Sequence, residues 1–356
     1  MIRLAPVARR LGAAATLVHT GQHIDAAMPD DVSREAGLAE PRLRLAAGGL
    51  PRGAQVGTAL TQLDAWLASS PVRAVVVQGE ANSTLAGALA AKSRGIPLVH
   101  VGAGLRSFDP AMPEETNRIL VDHMAGVLCA ATRDNAANLH RERVQGQIAR
   151  TGSTIVEAVG DLLPPAEKRQ QVLAQHSLTP DGYVLATVHR AENTDCPDLL
   201  AAVLAELGAL AERLPVVLPL HPRTRIAVRR YRLETLLSPL TVLLALHPGP
   251  FLALARHAAL LISDSGSLQE EATILKRPLI VVRTSTERPE SLTCFGHLVH
   301  PSSDLIGKTA HYILDQGPAL LQHLADLPSP FGDQRAADRI VRRIRETVDC
   351  AIRRSP

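Results

Sequence analysis

The sequence predicts an α/β protein with two Rossmann-like domains that face one another across a cleft. Short apolar runs rich in Val, Leu and Ile alternate along the chain with longer segments of helical periodicity, and glycine or small polar residues follow most of the runs. This alternation is typical of parallel sheets whose strands are joined by crossover helices. At 356 residues the chain also exceeds the usual size of a single hydrophobic core, so two domains are expected.

The clearest strand–helix–strand unit lies in residues 74–101. A valine-rich run is followed by Gly79 and small polar residues, then by a segment rich in Ala and Leu, then by a second apolar run. Ahead of this unit we expect a helix, a buried strand, an irregular stretch around one short strand, and a second helix, at residues 1–11, 13–19, 24–55 and 56–68.

The same alternation continues to residue 152. Pro113 favours the first turn of a helix over residues 114–125, whose acidic first residues lie near its positive end. A strand, a helix and another strand are expected at residues 127–130, 134–142 and 148–152. Ser153 or Thr154 can cap the helix that follows.

Pro164 and Pro165 interrupt this pattern, and the polar segment 166–181 is the predicted connection between domains. In the second half, strands are expected at residues 183–188, 216–220, 241–244, 260–262 and 279–282, and helices at residues 199–211, 251–257, 268–275, 305–314 and 336–352. We therefore predict an N-terminal domain at residues 1–165, a C-terminal domain at 166–335, and a final helix at 336–356 that packs back on the N-terminal domain.

Composition and charge argue against several functional classes. The net charge is +3 and the cations are mixed with acidic residues, which gives little reason to expect a nucleic-acid partner. The 4 cysteines are far apart and form no CxxC pair, so neither a metal site nor a disulfide framework is indicated. We find no apolar stretch of membrane-spanning length and no signal-peptide pattern, and we expect a cytoplasmic protein without a membrane partner.

Polar clusters follow the predicted strands, at the sheet edge where parallel α/β proteins bind ligands. In Ser265-Gly266-Ser267, between a strand and a helix, backbone N–H groups can hold a diphosphate, although the spacing also fits a tight turn capped by serine. Glu270 and Glu271, one turn later, can bind a ribose or face solvent.

Several side chains at these strand ends can transfer protons or bind anions. His189 precedes Arg190 and Glu192, and His221 ends the next strand; each histidine fits a catalytic or a structural role. The carboxylates of Glu80, Glu114 and Glu115 are acid/base candidates or, alternatively, caps and ion-pair partners. The guanidinium groups of Arg283 and Arg288 can clamp a phosphate or organise these carboxylates.

Motifs along nearly the whole chain occur in a family-specific order. They are Thr20-Gly21-Gln22-His23, Gln78-Gly79-Glu80 with residues 83–87, His100-Val101-Gly102-Ala103-Gly104-Leu105-Arg106, Pro113-Glu114-Glu115-Thr116-Asn117-Arg118, and the segments 187–193, 263–272 and 286–290. In these motifs the chain resembles the non-hydrolysing UDP-N-acetylglucosamine 2-epimerase family.

The resemblance implies a GT-B fold, a homodimer, a UDP-binding C-terminal domain and a role in polysaccharide biosynthesis. It also implies interconversion of UDP-N-acetylglucosamine and UDP-N-acetylmannosamine, in which UDP is eliminated and then added back after protonation of the other sugar face. This chemistry requires an acid, a base and stabilisation of the departing diphosphate, and no cofactor.

Carried over by position, the resemblance assigns roles to individual residues. Glu80, Glu114 and His189 match active-site positions. Those that match substrate or UDP contacts are Arg3, Phe251 beside the uracil, Ser265, Gly266 and Ser267 at the diphosphate, Glu271 at the ribose, and Arg288. Those that match contacts to an activating second UDP-N-acetylglucosamine in some bacterial members are Gln22, His23, Arg190 and His221.

The chain departs from the family pattern at four places. Glu80-Ala81 replaces the usual Asp-Thr, Gly102 replaces a glutamate, and Ser267 replaces a glycine. The family's leading strand and its Gly-Thr-Arg-Pro-Glu loop are not found ahead of the first helix, so the first domain is expected to lack that strand. Loss of a carboxylate or of the loop arginine is predicted to lower the rate by about 10²-fold or more.

These departures leave three hypotheses open. The first is a UDP-N-acetylglucosamine 2-epimerase of altered or reduced activity. The second is a nucleotide-sugar-binding protein that has lost catalysis. The third is a hydrolase or glycosyltransferase on the same scaffold, because a fold alone does not select the reaction.

Overall fold

The structure is a computed structural model that describes residues 2–21, 35–302 and 304–354. The chain divides into two compact units, each with its own parallel sheet: Met1–Asp161 together with Phe331–Pro356, and Leu162–Pro330. The second unit therefore begins at Leu162, four residues before the predicted boundary. The chain returns to the first unit at Phe331, five residues before the predicted return at residue 336.

The first unit is built around a sheet of four parallel strands whose spatial order follows the chain: Val75–Gln78, Leu98–Ala103, Val127–Ala130 and Gln147–Arg150. Two short strands, Val18–His19 and Leu43–Arg44, form a separate parallel pair. The α-helices in the part of this unit that the structure describes include Ala5–Leu11, Arg52–Ala68, Asn82–Ser93, Pro113–Met124, Arg133–Arg141, Ile155–Leu162 and Ala336–Arg354.

The buried strand expected at residues 13–19 is wrong in extent. The strand includes only Val18 and His19, which are half-buried, and Gly12–Ala14 forms a 3-10 turn instead. Gly12 has a φ of 55°, and its N–H closes the end of helix Ala5–Leu11. The chain therefore turns where the apolar run had suggested extended backbone.

The final helix packs on the first unit through one apolar face. Ile340, Val341 and Ile344 belong to the same buried cluster as Val99 and Val101 of the sheet. Apolar residues that recur with helical spacing lie on one side of a helix, which explains why this segment can cover a sheet while its arginines remain outside.

The second unit contains a sheet of six parallel strands, in the spatial order Gly296–Val299, Leu279–Val282, Leu260–Ser263, Val184–Thr187, Val216–Leu220 and Thr241–Leu244. Its α-helices are Ala166–Gln175, Ala191–Thr194, Pro197–Leu210, Pro222–Tyr231, Pro248–His257, Gly266–Leu275, Leu305–Asp315 and Gly317–Asp326. The strand at Gly296–Val299 was not predicted, because Gly296 and His297 leave only Leu298 and Val299 as an apolar run.

The connection predicted at residues 166–181 is also wrong. Residues Ala166–Gln175 form a helix within the second unit, where Leu173 is buried. Arg169 of this helix donates a hydrogen bond to His257, at 3.3 Å between Nε and Nε2. The polar composition of the segment reflects one exposed helix face and not a linker.

The described helices include none that is both long and apolar enough to cross a membrane. All four cysteines are free thiols: Cys129 is buried, Cys196 is half-buried, and Cys294 and Cys350 are exposed.

Candidate functional site

In the first unit, an arginine links two of the predicted acid/base carboxylates. Arg118, on helix Pro113–Met124, is 1% exposed, and its Nη1 lies 2.9 Å from Oε2 of Glu80. Its Nη2 lies 2.8 Å from Oε2 of Glu115. Asn117 donates a hydrogen bond to the backbone carbonyl of Glu80 at 2.8 Å. Arg118 therefore holds the carboxylate of Glu80, and Asn117 holds its backbone, just after the end of strand Val75–Gln78.

Glu114 and Glu115 occupy the same helical turn but have different environments. The Glu115 carboxylate is buried and accepts hydrogen bonds from the backbone N–H groups of Ser107 and Phe108, each at 3.0 Å. Burial opposes its ionisation, yet these N–H groups and Arg118 hold the pKa of Glu115 below its usual value. Among the described residues the half-buried carboxylate of Glu114 has no hydrogen-bond or ion-pair partner, which leaves it available to a ligand.

The loop anchored by Glu115 presents an aromatic side chain to solvent. Phe108 is 67% exposed and has a φ of 55°, a left-handed conformation that is unfavourable for a bulky residue. The hydrogen bond from its N–H to Glu115 holds this conformation. Strain maintained by a buried carboxylate is typical of functional loops.

The departure from the family pattern at Gly102 has a structural counterpart. Gly102 has a φ of 77°, and the pairing between neighbouring strands shifts register between Val101 and Ala103. An added Cβ there would lie 3.7 Å from Nε2 of Gln78, which is ordinary contact. Space therefore permits a side chain, but the backbone conformation favours glycine.

His100, within strand Leu98–Ala103, is fully buried. The Nδ1 atom of His100 is 2.7 Å from Oδ1 of Asp122, and its Nε2 atom is 2.9 Å from the carbonyl oxygen of Gly79. Asp122 also lies 2.8 Å from Arg106, whose guanidinium makes two hydrogen bonds to Glu142 at 2.7 and 2.6 Å. These four charged or titratable side chains form what we call the His100 cluster.

In the second unit, Asp264 organises the loop that carries His189. Asp264 is 0% exposed and follows strand Leu260–Ser263, next to strand Val184–Thr187. Its carboxylate accepts hydrogen bonds from the N–H groups of His189 and Arg190 at 2.9 and 2.8 Å, and from the side chain of Asn193 at 3.0 Å. Its Oδ1 is 3.3 Å from Nδ1 of His189.

The surroundings of His189 favour a neutral imidazole that is partly exposed. Burial lowers the pKa of His189, with Arg190 and Arg223 acting in the same direction and Asp264 opposing them. Its side chain nevertheless keeps 33% of its surface exposed. The ring of His221 lies 5.1 Å away, between centroids. A neutral imidazole with one nitrogen oriented by a carboxylate and the ring partly open can accept a proton from a ligand.

The loop Ser265–Ser267 begins a helix whose N-terminus has no side-chain cap. Ser265 occupies the N-cap position of helix Gly266–Leu275, but its hydroxyl makes no capping hydrogen bond. The hydroxyl lies 3.1 Å from that of Ser267 instead. The capping role considered from the sequence is therefore wrong, and the N–H groups of the first turn can receive an anion.

Charged groups crowd the glycine of this loop. A Cβ added at Gly266 would lie 2.7 Å from Oε1 of Glu287, 2.9 Å from Nη1 of Arg288 and 3.1 Å from Nη2 of Arg190. Arg190, which the resemblance placed among activator contacts, thus reaches the loop predicted to bind diphosphate. Glycine at this position allows a close approach to the backbone.

Arg288 lies within a chain of buried ion pairs. Its Nε is 2.6 Å from Glu270, and it also contacts Glu287. Arg283 in turn pairs with Glu287 at 2.9 Å and with Glu192 at 3.2 Å. The carboxylates that these two arginines contact all lie in the second unit and are not the predicted acid/base candidates: Glu192, Glu270 and Glu287.

The remaining predicted residues lie at separate positions. Arg3 is part of the 3-10 turn Ile2–Leu4, Phe251 is half-buried on helix Pro248–His257, and Glu271 is half-buried on helix Gly266–Leu275. Gln22 and His23 lie outside the described residues. In the part of the chain that the structure describes, no group of three His, Cys, Asp or Glu side chains could hold a metal ion.

The similarity of the whole chain to known proteins decides the family. A family model described as UDP-N-acetylglucosamine 2-epimerase matches residues 7–345. The chain belongs to the UDP-N-acetylglucosamine 2-epimerase family. The activity of this family is that of an isomerase, as the sequence motifs predicted.

Two curated relatives illustrate the range of this family. UDP-N-acetylglucosamine 2-epimerase of Methanococcus maripaludis is 36% identical over 350 residues, covering 96% of this chain and 94% of the relative. UDP-2,3-diacetamido-2,3-dideoxy-D-glucuronate 2-epimerase of Pseudomonas aeruginosa is 34% identical over 335 residues, covering 91% of this chain and 89% of the relative.

Solved structures of epimerases also resemble this one. UDP-GlcNAc 2-epimerase of Methanocaldococcus jannaschii, in complex with UDP-GlcNAc and UDP, has a TM-score of 0.88 and 34% identity and covers 97% of this chain and 96% of its own. The Neisseria meningitidis enzyme bound to UDP-GlcNAc has a TM-score of 0.86 at 26% identity, covering 97% of this chain and 96% of its own. The predicted α/β fold of GT-B type is confirmed by these matches.

Sequence reasoning assigned no role to several residues that organise these sites. Asp264, Arg118 and Asp122 are buried charged side chains that hold His189, Glu80 and His100. Each lies within or beside a motif, but ordinary helix or turn positions explain a charged residue there equally well. A signal for Asp264 existed: it is a carboxylate directly after a fully buried strand.

Proposed function

We propose that this member of the family interconverts UDP-N-acetylglucosamine and UDP-N-acetylmannosamine by inversion at C2 of the sugar. The observation that carries the proposal is the edge of the second sheet, where His189, oriented by Asp264, neighbours the uncapped loop Ser265–Ser267. A proton-transfer group and a diphosphate-binding loop on adjacent strand ends are what elimination of UDP requires.

The reaction divides into two reversible steps. In the first, a base removes the proton from C2, the C–H electrons form a C1–C2 double bond, and the C1–O bond breaks with its electron pair leaving on the UDP oxygen. In the second, an acid protonates C2 from the opposite face while UDP adds back to C1. Both steps conserve atoms and electrons, and neither needs an oxidant or a reductant.

Within this scheme we assign roles to the residues of each unit. His189, Glu80 and Glu114 exchange protons with the sugar, and the carboxylate of Glu80 is stabilised by Arg118. The N–H groups of the Ser265–Ser267 loop and the guanidinium of Arg190 bind the departing diphosphate. We keep Phe251, Glu271, Arg3 and Arg288 as further substrate contacts, and His221, with Gln22 and His23, as contacts to an activator. Arg190 is thereby moved from the activator contacts to the diphosphate contacts.

The alternative hypotheses receive less support. A binding protein without catalysis, or a hydrolase or glycosyltransferase, is not favoured, because both curated relatives and structural neighbours are named as 2-epimerases. A second substrate is suggested by the relative from Pseudomonas aeruginosa, which is named for a diacetamido glucuronate.

We also propose that the protein acts as a cytoplasmic homodimer in polysaccharide biosynthesis, and sedimentation analysis tests the oligomeric state.

The proposal is tested by incubating the protein with UDP-N-acetylglucosamine in D₂O and following the sugar H2 signal by NMR. We expect exchange of H2 for deuterium and appearance of the manno product. UDP bound calorimetrically without exchange would support a binding protein, and free sugar would support a hydrolase. Exchange only with UDP-2,3-diacetamido-2,3-dideoxyglucuronate would retain the reaction but change the substrate.

A further inference from the structure

His100 is a buried side chain that contacts the backbone directly before Glu80. It belongs to strand Leu98–Ala103 and is 0% exposed. Its Nε2 atom contacts the carbonyl oxygen of Gly79, the residue directly before Glu80, at 2.9 Å. Gly79 has a φ of 74°, so the chain turns sharply at this contact.

The two contacts of His100 determine where its protons are. A carbonyl oxygen can only accept a hydrogen bond, so Nε2 must carry hydrogen. On the other side, Asp122 accepts hydrogen bonds from the N–H of Gly104 at 3.1 Å and from Arg106 at 2.8 Å, as an ionised carboxylate does. Nδ1 must therefore donate to Asp122 as well. The geometry requires a doubly protonated, positively charged ring.

The charges around His100 agree with this assignment. The cluster contains two carboxylates, Asp122 and Glu142, and one guanidinium, Arg106, so a protonated His100 makes it neutral. His123 lies at the outer end of this cluster: its Nε2 is 3.8 Å from Glu142, and its side chain is 46% exposed. Burial would raise the pKa of Asp122, but His100 and Arg106 hold it below its usual value.

We propose that His100 is a positioning residue, protonated on both ring nitrogens, that fixes the Gly79–Glu80 turn for catalysis. It does so by donating from one nitrogen to the Gly79 carbonyl and from the other to Asp122. This role rests on the proposed function only where it concerns catalysis by Glu80; the charge on the ring is a property of the folded chain. His100 touches no reacting atom and is not a catalytic residue.

The charge is tested without any substrate. In protein labelled with ¹⁵N, two-bond ¹H–¹⁵N correlation spectra distinguish an imidazolium from the two neutral tautomers, and His100→Gln identifies the signal among the 14 histidines. We expect both nitrogens of His100 to carry hydrogen at neutral pH, because each faces an acceptor. A neutral tautomer for His100 at neutral pH would overturn the proposal.

The positioning role is tested by kinetics on His100→Gln, which keeps an N–H donor but loses the charge. We expect kcat to fall on the order of 10- to 100-fold with KM changed less than about threefold, because Glu80 is displaced while the substrate contacts remain. His140→Gln, on an exposed position of the same unit, is the matched control and should match the wild type. Unchanged kcat in folded His100→Gln would contradict the role.

Asp122→Asn adds a readout that a merely structural role would not move. Without a carboxylate to accept from Nδ1, the ring should carry hydrogen on Nε2 alone, and the same two-bond spectra of this variant report it. A doubly protonated ring in the folded variant would contradict the proposal. If the wild type itself shows no epimerisation, the proposed function fails, while the NMR experiment still decides the state of His100.

Discussion

Each unit of this protein contains a histidine bound to a buried aspartate, and the two pairs differ in what surrounds the ring. His100 lies within strand Leu98–Ala103, whereas His189 follows the end of strand Val184–Thr187. Both nitrogens of His100 have protein partners and its side chain is 0% exposed, whereas the Asp264-bound His189 keeps 33% of its side chain exposed. The enclosed ring has an acceptor at each nitrogen and no open side for a ligand. The open ring can change its protonation. Access, and not residue type, therefore separates a structural histidine from a reactive one.

The largest expected effect that tests this comparison is on rate, at the open ring. His189→Gln should lower kcat by about 10²- to 10⁴-fold, the usual range for loss of an acid/base group, with little change in stability. Turnover of UDP-N-acetylglucosamine by NMR measures it. His323→Gln, an exposed histidine in the same unit, is the control. A loss below tenfold for His189→Gln would show that the open ring is not the proton-transfer group.

The next effect is on stability, at the enclosed ring. His100→Ala should lower the free energy of unfolding of the first unit by about 3 to 5 kcal/mol, because it leaves buried carboxylates short of one cation. Trp66, the single tryptophan of the chain, lies in the first unit and reports its unfolding in urea by fluorescence. His189→Ala should leave this transition unchanged. Equal effects from the two variants would end the distinction between the pairs.

A smaller effect is expected at the loop beside the open ring. Gly266→Ala should weaken UDP binding by about 10- to 100-fold, or about 1.4 to 2.8 kcal/mol, because its Cβ would meet Glu287 and Arg288 at less than 3.0 Å. Calorimetric titration with UDP measures it. Gly57→Ala, on helix Arg52–Ala68 with no atom within 4 Å of its added Cβ, is the matched control and should bind normally. Normal binding by Gly266→Ala would place the diphosphate elsewhere.

The smallest effect is a displacement of the pH profile. His189 acts as a base in its neutral form, so kcat/KM should fall as pH falls through its pKa, and because that pKa is lowered the acidic limb should lie below 6.5. Asp264 raises the pKa of His189, so Asp264→Asn should move the limb to still lower pH while it also reduces the rate. A limb at or above 6.5 in the wild type would contradict the assignment.

Local sequence patterns predicted much of the fold, but they predicted few of the hydrogen-bond and ion-pair partners of the site residues. Strand Val127–Ala130 begins and ends at the predicted residues, because a run of buried side chains is visible in the sequence itself. Glu114 and Glu115 could not be told apart, since they are adjacent and chemically identical. Only the folded chain pairs Glu115 with Arg118 and leaves Glu114 without a partner among the described residues.

By itself, the sequence determined the alternation of strands and helices and the motif positions at the strand ends, because periodicity and turn residues act over a few neighbouring positions. The family followed from the resemblance of those motifs in their order along the chain. Tertiary structure decided which side chains are paired, charged or open. The N–H of His189 meets Asp264 across 75 residues, and Arg118 meets Glu80 across 38. Contacts at such separations depend on which strands lie side by side, which no local pattern specifies.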